Sequence, residues 1–172
     1  MSENIEITPF NAQTDLPRVE EIFFLTAAVQ QFSSEEARDK FKYKYLGYYL
    51  VHYPQLALVA RYQNRVLGYC LGADQTTEAF YPHQPHLALF SDLFVAFPAH
   101  LHINLHPESQ GLGIGAKLIG VWEKKLAPSV KGMHIMTDPQ ARNTRFYRRL
   151  GLDFEVVRKY QNHDILFMGK NF

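Results

Sequence analysis

The segment from Gln110 to Gly115 holds three glycines in six residues, and it lies between an apolar run and a helical pattern. A strand that ends in such a turn and leads into a helix directs backbone N–H groups and the positive end of the helix dipole toward one point. Glycines are needed there because the backbone must approach phosphate oxygens closely and adopt positive φ. The pattern predicts a phosphate-binding loop formed by Gln110, Gly111, Leu112, Gly113, Ile114 and Gly115.

The register of these glycines argues against two common phosphate-binding motifs. Ala116 and Lys117 follow Gly115, so the lysine and hydroxyl residue of a Walker A loop are not in the required register. The G-x-G-x-G spacing also departs from the G-x-G-x-x-G of dinucleotide-binding folds, and the chain does not open as a βαβ unit. A purely structural glycine turn is the alternative interpretation.

Hydrophobic periodicity and turn residues predict the elements that must hold this loop. Their order is strand, helix, helix, strand, strand, insert, strand, helix, strand, helix, strand, strand. The predicted strands cover residues 5–10, 56–60, 66–71, 101–106, 133–137, 154–157 and 165–168, and the two later helices cover residues 113–127 and 141–150.

Local signals place the ends of the two earlier helices. Thr14 or Asp15 is the expected N-cap of the first helix. Ser33 or Ser34 is the expected N-cap of the second, and Pro54 is expected to end it.

The insert at residues 74–99 is a long connection rich in proline, histidine and phenylalanine. Connections of this length either serve binding or form an ordinary surface excursion, and residues 87–94 are expected to form a short helix. No repeat or linker interrupts the chain. We therefore predict a single α/β domain over residues 1–172, with a mixed sheet of the α+β kind.

Composition and charge narrow the classes of function. The chain of 172 residues is 47% hydrophobic and 20% charged, which is typical of a soluble globular protein with a sizeable core. A formal net charge of +1 predicts no general attraction to nucleic acid or to a membrane, and it mildly disfavours polycationic ligands. The one cysteine, Cys70, is expected in a buried strand. The isolated thiol and the lack of a secretory signal pattern predict a cytoplasmic protein.

Three residues of the glycine segment match a family motif. Gln110, Gly113 and Gly115 resemble the acetyl-CoA motif of the GNAT acetyltransferases, Gln/Arg-x-x-Gly-x-Gly/Ala, which follows the fourth strand. The approach at residues 105–109 contains the proline usual before that motif, and the element order is similar along nearly all of the chain. The resemblance implies the GNAT acyl-CoA N-acyltransferase fold, with acetyl-CoA held at this loop as cosubstrate.

A second block, residues 143–152, is similar to the family segment that ends in Phe/Tyr-Tyr-x-x-x-Gly-Phe. The resemblance implies that Tyr147 protonates the departing thiolate of coenzyme A, while a tyrosine packed in a helix interface is the alternative. The family's cofactor-contacting Asn lies seven residues before the Tyr, where this chain has Gln140, so Asn143 and Gln140 are both candidates. A basic run in this region fits either a solvated helix face or contact with the adenosine 3′-phosphate of coenzyme A. It consists of Arg142, Arg145, Arg148 and Arg149.

The resemblance also implies that backbone amides near Ile103 and Leu105 polarise the thioester carbonyl and bond the pantetheine. His102 is the first candidate for the base that takes the amine proton and His134 the second, although a water chain could serve. Histidines alternate on the fourth strand, but no carboxylate or cysteine completes a ligand set, so we expect no metal. These histidines are His100, His102 and His106.

Together these observations predict an N-acetyltransferase that transfers acetyl from acetyl-CoA to a primary amine by direct attack in a ternary complex. The acceptor is a small molecule or a protein, and a homodimer is left open. The segments at residues 100–107 and 132–134 more narrowly resemble the acetyltransferase-like domain of O-GlcNAcases and its standalone bacterial relatives. A catalytically silent acetyl-CoA-binding module that recognises a protein or glycan is the alternative function.

Overall fold

The computed structural model describes residues 4–172, and the chain divides into two compact units. The first unit comprises the residues up to Gly72 together with His102–Lys125, and the second comprises Ala73–Leu101 and Leu126–Phe172. The fourth strand, β4 (Ala99–Leu105), begins in the second unit and ends in the first.

The strands of the first unit follow the order β1-β2-β3-β4. β1 (Glu6–Pro9) is antiparallel to β2 (Leu58–Tyr62), which is antiparallel to β3 (Arg65–Ala73). Gln63 and Asn64 join β2 to β3 with φ values of 48° and 65°. Two successive residues at positive φ are typical of a tight hairpin turn. The two short apolar runs at residues 56–60 and 66–71 on either side of this dipeptide predict an antiparallel hairpin, and the structure confirms it.

The first helix, α1 (Ala12–Thr26), begins earlier than predicted. Its N-cap is Asn11, whose side chain accepts a hydrogen bond from the Gln13 N–H at 2.9 Å. The prediction of Thr14 or Asp15 as the cap was therefore wrong. Asp15 instead lies buried within the first turn, where it accepts the Asn11 N–H at 2.8 Å.

The second helical segment starts as predicted, with the Ser34 hydroxyl accepting from the Ala37 N–H at 3.1 Å. It consists of α2 (Glu35–Lys42), a π-helix (Tyr43–Gly47) and α3 (Tyr48–His52). A 3-10 turn starting at Pro54 then leads into β2.

The helix that follows the glycine segment, α4 (Ile114–Leu126), belongs to the first unit up to Lys125 and buries an apolar stripe along one face. Trp122 in this stripe is fully buried, and its indole N–H donates to the carbonyl oxygen of Leu56 at 3.0 Å. The indole therefore both fills the core and satisfies a backbone acceptor.

The strands of the second unit follow the order β4-β5-β7-β6, with β5 at Gly132–Thr137, β6 at Phe154–Tyr160 and β7 at His163–Asn171. β4 and β5 are parallel, whereas β5 pairs with β7 and β6 with β7 in antiparallel fashion. Residues 4–172 thus contain seven strands, and the mixed α/β fold and the predicted order of elements are confirmed.

The last helix, α5 (Thr144–Arg149), is shorter than the predicted helix at residues 141–150. Asp138 accepts the Gln140 N–H at 2.7 Å, and this local turn delays the start of the helix. Gly151 follows the helix with φ +86°, the left-handed conformation expected of a C-terminal glycine.

The insert is part of the core of the second unit. It contains 3-10 helices at Glu78–Phe80 and Pro85–Leu93, so the short helix predicted at residues 87–94 begins earlier and is tighter than an α-helix. The Arg158 guanidinium on β6 bonds to Asp92 and to the Leu89 carbonyl oxygen. Phe80, Leu87 and Phe90 are buried, so the insert is packed rather than a loose surface excursion.

Two smaller expectations also bear on the fold. Cys70 is fully buried in β3, as predicted, and burial raises the pKa of its thiol, which leaves it inert. Across residues 4–172, none of the helices combines the length and the apolar character that a membrane span requires.

Candidate functional site

The glycine segment forms an exposed loop between β4 and α4. Gly111 and Gly113 both adopt φ +77°, a left-handed conformation that glycine tolerates without strain. A Cβ built on either residue would meet no heavy atom within 4 Å. The loop therefore has open space at the two positions where its backbone needs glycine.

Hydrogen bonds hold both ends of the loop. The His106 N–H donates to the Leu67 carbonyl oxygen at 2.8 Å, which continues the pairing with β3 beyond the end of β4. The Gln110 side-chain amide donates to the Leu105 carbonyl oxygen at 3.3 Å. At the other end, the Lys117 N–H donates to the Gly113 carbonyl oxygen at 3.2 Å and begins α4.

The start of α4 supplies the donors that such a loop can offer. The first N–H groups of a helix have no partner within the helix, and they carry the positive end of its dipole. In α4 these are the amides that follow Gly113, beginning with Ile114 and Gly115. Their position next to an open glycine turn suits an anion, and a phosphate above all.

The last residues of β4 pack closely against β3. A Cβ at Gly68 would lie 2.3 Å from the Leu105 side chain and 2.8 Å from the Asn104 carbonyl oxygen, so only glycine fits there. Ile103 and Leu105, the positions expected near the pantetheine, are partly exposed. The glycine on β3 thus fixes the end of β4 from which the loop departs.

His102 lies on this half of β4 and is partly exposed. Its Nε2 is 2.9 Å from the Tyr49 hydroxyl, and the two rings are 4.9 Å apart in an edge-to-face arrangement. The Tyr45 ring contacts His102 as well, at 5.9 Å between centroids. The first candidate for the base therefore lies among aromatic side chains of the helical segment at residues 35–52.

Tyr147 and Asn143 belong to the second unit. Tyr147 on α5 is 7% exposed, and its N–H donates to the Asn143 carbonyl oxygen at 3.1 Å. The Asn143 side chain accepts from the Thr137 hydroxyl at 3.1 Å, which ties it to the end of β5. Gln140 is exposed, and the bond described above involves its backbone rather than its side chain. Asn143 is thus the better fixed of the two cofactor candidates.

His100 and His134 lie in the core of the second unit. His100 is 5% exposed, and its Nδ1 is 2.6 Å from the Thr76 hydroxyl. His134 is 1% exposed, with Nδ1 2.7 Å from the Phe97 carbonyl oxygen, and its ring stacks on Phe167 at 4.6 Å. These contacts fit a packing role for both rings. No group of three or more His, Cys, Asp or Glu that could hold a metal occurs among residues 4–172.

The basic run at residues 142–149 is exposed at all four arginines. The Arg148 guanidinium forms a two-pronged pair with Glu155, at 2.5 and 3.0 Å. That pair orients Arg148 along the surface of the second unit, whereas Arg142, Arg145 and Arg149 remain the candidates for an anion contact.

Tyr49 is the contact residue that the sequence patterns missed. An α-helical period predicts that Phe41, Tyr45, Tyr48 and His52 share one face. Tyr49, four residues after Tyr45, is instead the tyrosine that is fully buried and bonds to His102. The i, i+4 spacing of Tyr45 and Tyr49 is the signal in the sequence that could have found it.

Solved structures with the same architecture support the fold. The crystal structure of SsHAT is 21% identical, with a TM-score of 0.77, and the match covers 98% of both chains. The structure of yncA from Salmonella typhimurium with its cofactor acetyl-CoA is 17% identical, with a TM-score of 0.61, covering 98% of this chain and 94% of that one. The paia N-acetyltransferase from Thermoplasma acidophilum in complex with coenzyme A is 18% identical, with a TM-score of 0.60, and the match covers 98% of this chain and 99% of that one.

A family model adds what these distant similarities do not establish. The model of the Acetyltransferase (GNAT) family matches residues 19–152, a stretch that includes the glycine loop, β4 and the block containing Tyr147. Because this match spans well over half of the sequence, the chain belongs to the GNAT family of acetyltransferases.

Proposed function

We propose that this protein transfers the acetyl group of acetyl-CoA to a primary amine, by direct attack within a ternary complex. The observation that carries the proposal is the open glycine loop at the start of α4, with Gly111 and Gly113 in left-handed conformations. Membership of an acetyltransferase family supports it. Two proteins of similar fold were solved with acetyl-CoA or coenzyme A, which makes the same donor a reasonable choice here.

The residues at the loop fit a coenzyme's pyrophosphate. Gln110 to Gly115 would hold it through backbone N–H groups, because no side chain fills the space beside Gly111 and Gly113. The bond from Gln110 to the Leu105 carbonyl oxygen would keep the loop shaped for this contact. Backbone amides near Ile103 and Leu105 would bond the pantetheine arm and polarise the carbonyl, as the family resemblance implies.

Acetyl-CoA supplies an activated thioester, and the chain supplies the proton transfers. The amine nitrogen forms a bond to the acetyl carbon as the carbon–sulfur bond breaks, and the sulfur leaves with the bonding electrons. Tyr147 donates its phenolic proton to that sulfur. His102, or a water chain in its place, takes the proton that the amine loses.

Tyr147→Phe tests the chemical step. We expect the rate of amine-dependent thiol release from acetyl-CoA, measured across a panel of small-molecule and peptide amines, to fall about a hundredfold because the leaving sulfur loses its proton donor. The binding of acetyl-CoA should stay close to that of the wild type. Tyr62→Phe, on β2, is the control and should release thiol at the wild-type rate. Equal rates for wild type and Tyr147→Phe would remove the general acid from the proposal.

Gly113→Asp tests the donor site. A side chain at φ +77° is strained, and a carboxylate would repel a pyrophosphate, so we expect affinity for acetyl-CoA in isothermal titration to fall at least about a hundredfold. Gly120→Asp is the matched control, because Gly120 lies in α4 with equally open space around it. If Gly113→Asp bound acetyl-CoA as well as the control, the loop would not be the donor site.

The proposal also concerns the molecule that receives the acetyl group. We propose a primary amine on a small molecule or a protein. The resemblance to the acetyltransferase-like domain of O-GlcNAcases stays a prediction, and amino sugars and lysine peptides therefore belong in the amine panel.

A further inference from the structure

The hydrogen bond between Tyr49 and His102 joins a buried group to a partly exposed one. The Tyr49 side chain is 0% exposed, and its hydroxyl lies 2.9 Å from Nε2 of His102. The ring contact at 4.9 Å adds a second constraint on the imidazole. A buried phenol thus holds one nitrogen of a partly exposed ring.

Two tyrosines of the helical segment at residues 35–52 meet His102. Tyr45 and Tyr49 are four residues apart, a spacing that places both side chains on one face of a helix, and both rings contact the imidazole. The π-helix at Tyr43–Gly47 includes Tyr45, and such turns are frequent at functional sites. Tyr48 packs on His52 instead, with centroids 4.3 Å apart.

A second buried phenol contacts the same half of β4 and provides an internal comparison. The Tyr69 hydroxyl accepts a hydrogen bond from the Asn104 side chain at 2.6 Å. Burial raises the pKa of Tyr69, which keeps it protonated, although the Asn104 bond acts in the opposite direction. His102 and Asn104 lie on one face of the strand. Of these two side chains, the histidine bonded to Tyr49 can change its charge near neutral pH, whereas the asparagine bonded to Tyr69 cannot.

A phenol suits the role of partner to a base because it can both donate and accept a hydrogen bond. With neutral His102 protonated on Nε2, that N–H donates to the Tyr49 oxygen. When the ring gains a second proton on Nδ1, the same bond persists and favours the imidazolium. Tyr45 is a further titratable side chain whose ring contacts His102, and Lys44 lies over the Tyr45 ring at 4.5 Å.

We propose that Tyr49 is a positioning residue for His102, which holds the imidazole through Nε2 so that Nδ1 receives the proton of the acceptor amine. The inference rests on the proposed function, in which His102 takes that proton. The amine proton moves to Nδ1, the Nε2 proton stays in its bond to the Tyr49 oxygen, and the Tyr49 hydroxyl proton is not transferred.

The test compares Tyr49→Phe with Tyr69→Phe. Both variants keep a buried ring and remove only a hydroxyl, so both should fold. In nitrogen NMR of histidine-labelled protein, we expect Tyr49→Phe to reduce the population of His102 protonated on Nε2 and to lower its titration midpoint by at least about 0.5 pH unit. Tyr69→Phe should leave the His102 signals unchanged. An unchanged His102 in Tyr49→Phe, or an equal change in both variants, would overturn the proposal.

Kinetics give the second readout. We expect Tyr49→Phe to lower kcat about tenfold and to shift the acidic limb of the pH profile of kcat/KM in the same direction as the NMR midpoint, with little change in KM for acetyl-CoA. A loss that is uniform at every pH would indicate a structural role and contradict the proposal. If the wild type acetylated no amine, the proposed function would fail, whereas the NMR comparison would still decide whether Tyr49 positions His102.

Discussion

His100 and His102 lie two residues apart on β4, yet their surroundings differ in almost every respect. His100 is buried in the second unit, bonded to the Thr76 hydroxyl and in edge contact with the Phe80 ring at 4.8 Å. His102 is partly exposed in the first unit and bonded to the Tyr49 hydroxyl. Two histidines of one strand can therefore be a core residue and a candidate base.

The role of a histidine depends on what surrounds both of its ring nitrogens rather than on its place in a motif. A ring enclosed on all sides contributes packing and cannot reach a substrate. A partly exposed ring that is held at one nitrogen can exchange a proton. His100 and His102 alternate on one strand but fall in different units, the first in the second unit and the second in the first.

Alanine substitutions at these two positions should separate the two roles. We expect His100→Ala to lower the free energy of unfolding by about 3 kcal/mol, because it leaves a cavity in the core beside the Thr76 hydroxyl. His102→Ala should cost only about 1 kcal/mol, since the ring is partly solvated, but it should slow acetyl transfer. Urea unfolding of both variants measures the first effect. Equal losses of stability would contradict the assignment of His100 to the core and of His102 to the candidate site.

Local chemistry accounts for the parts of the fold that the sequence predicted well. The Ser34 cap, the end of α5 at Gly151 and the hairpin around Gln63 depend on residues within one turn of each other. The glycine loop belongs to the same class, because spacing and conformation are both properties of one short segment. Such features are readable from the sequence because no distant contact competes with them.

A distant contact accounts for one of the misses. Thr14 or Asp15 was expected to cap α1, but the Asp15 carboxylate pairs with Arg61, 46 residues further along the chain, and Asn11 caps the helix. An ion pair of this range leaves no local pattern in the sequence. Tyr49 was missed for another reason, because Tyr48, three residues after Tyr45, and Tyr49, four residues after it, both fit one helical face.

Two arginine–aspartate pairs, one in each unit, extend the comparison to electrostatics. In the first unit Asp15 is 1% exposed, and its carboxylate lies 2.7 Å from the Arg61 guanidinium. Burial alone would raise the pKa of Asp15, but hydrogen bonds from Arg61, the Asn11 N–H and the Thr14 hydroxyl bring it below the ordinary value. In the second unit, the Arg158 bond lowers the pKa of Asp92, which is mostly exposed.

Replacement of each arginine by methionine should show how burial changes the contribution of an ion pair to the free energy of unfolding. We expect Arg61→Met to lower the free energy of unfolding by about 2 kcal/mol at pH 7, because it leaves a buried carboxylate with only the Asn11 and Thr14 bonds. Since the folded pKa of Asp15 lies below its unfolded value, the contribution of the pair is present above about pH 4 and is lost as the pH falls through the folded pKa. The difference between wild type and Arg61→Met should therefore shrink in acid.

Arg158→Met should cost less than Arg61→Met, because water screens an exposed pair and solvates the carboxylate that is left behind. Denaturant unfolding of both variants at pH 7 and near pH 3 provides the four values needed, and added salt should reduce the effect at Arg158 more than that at Arg61. A cost at Arg61 that matched the one at Arg158, or that persisted unchanged in acid, would show that the buried pair stabilises the first unit through packing rather than charge.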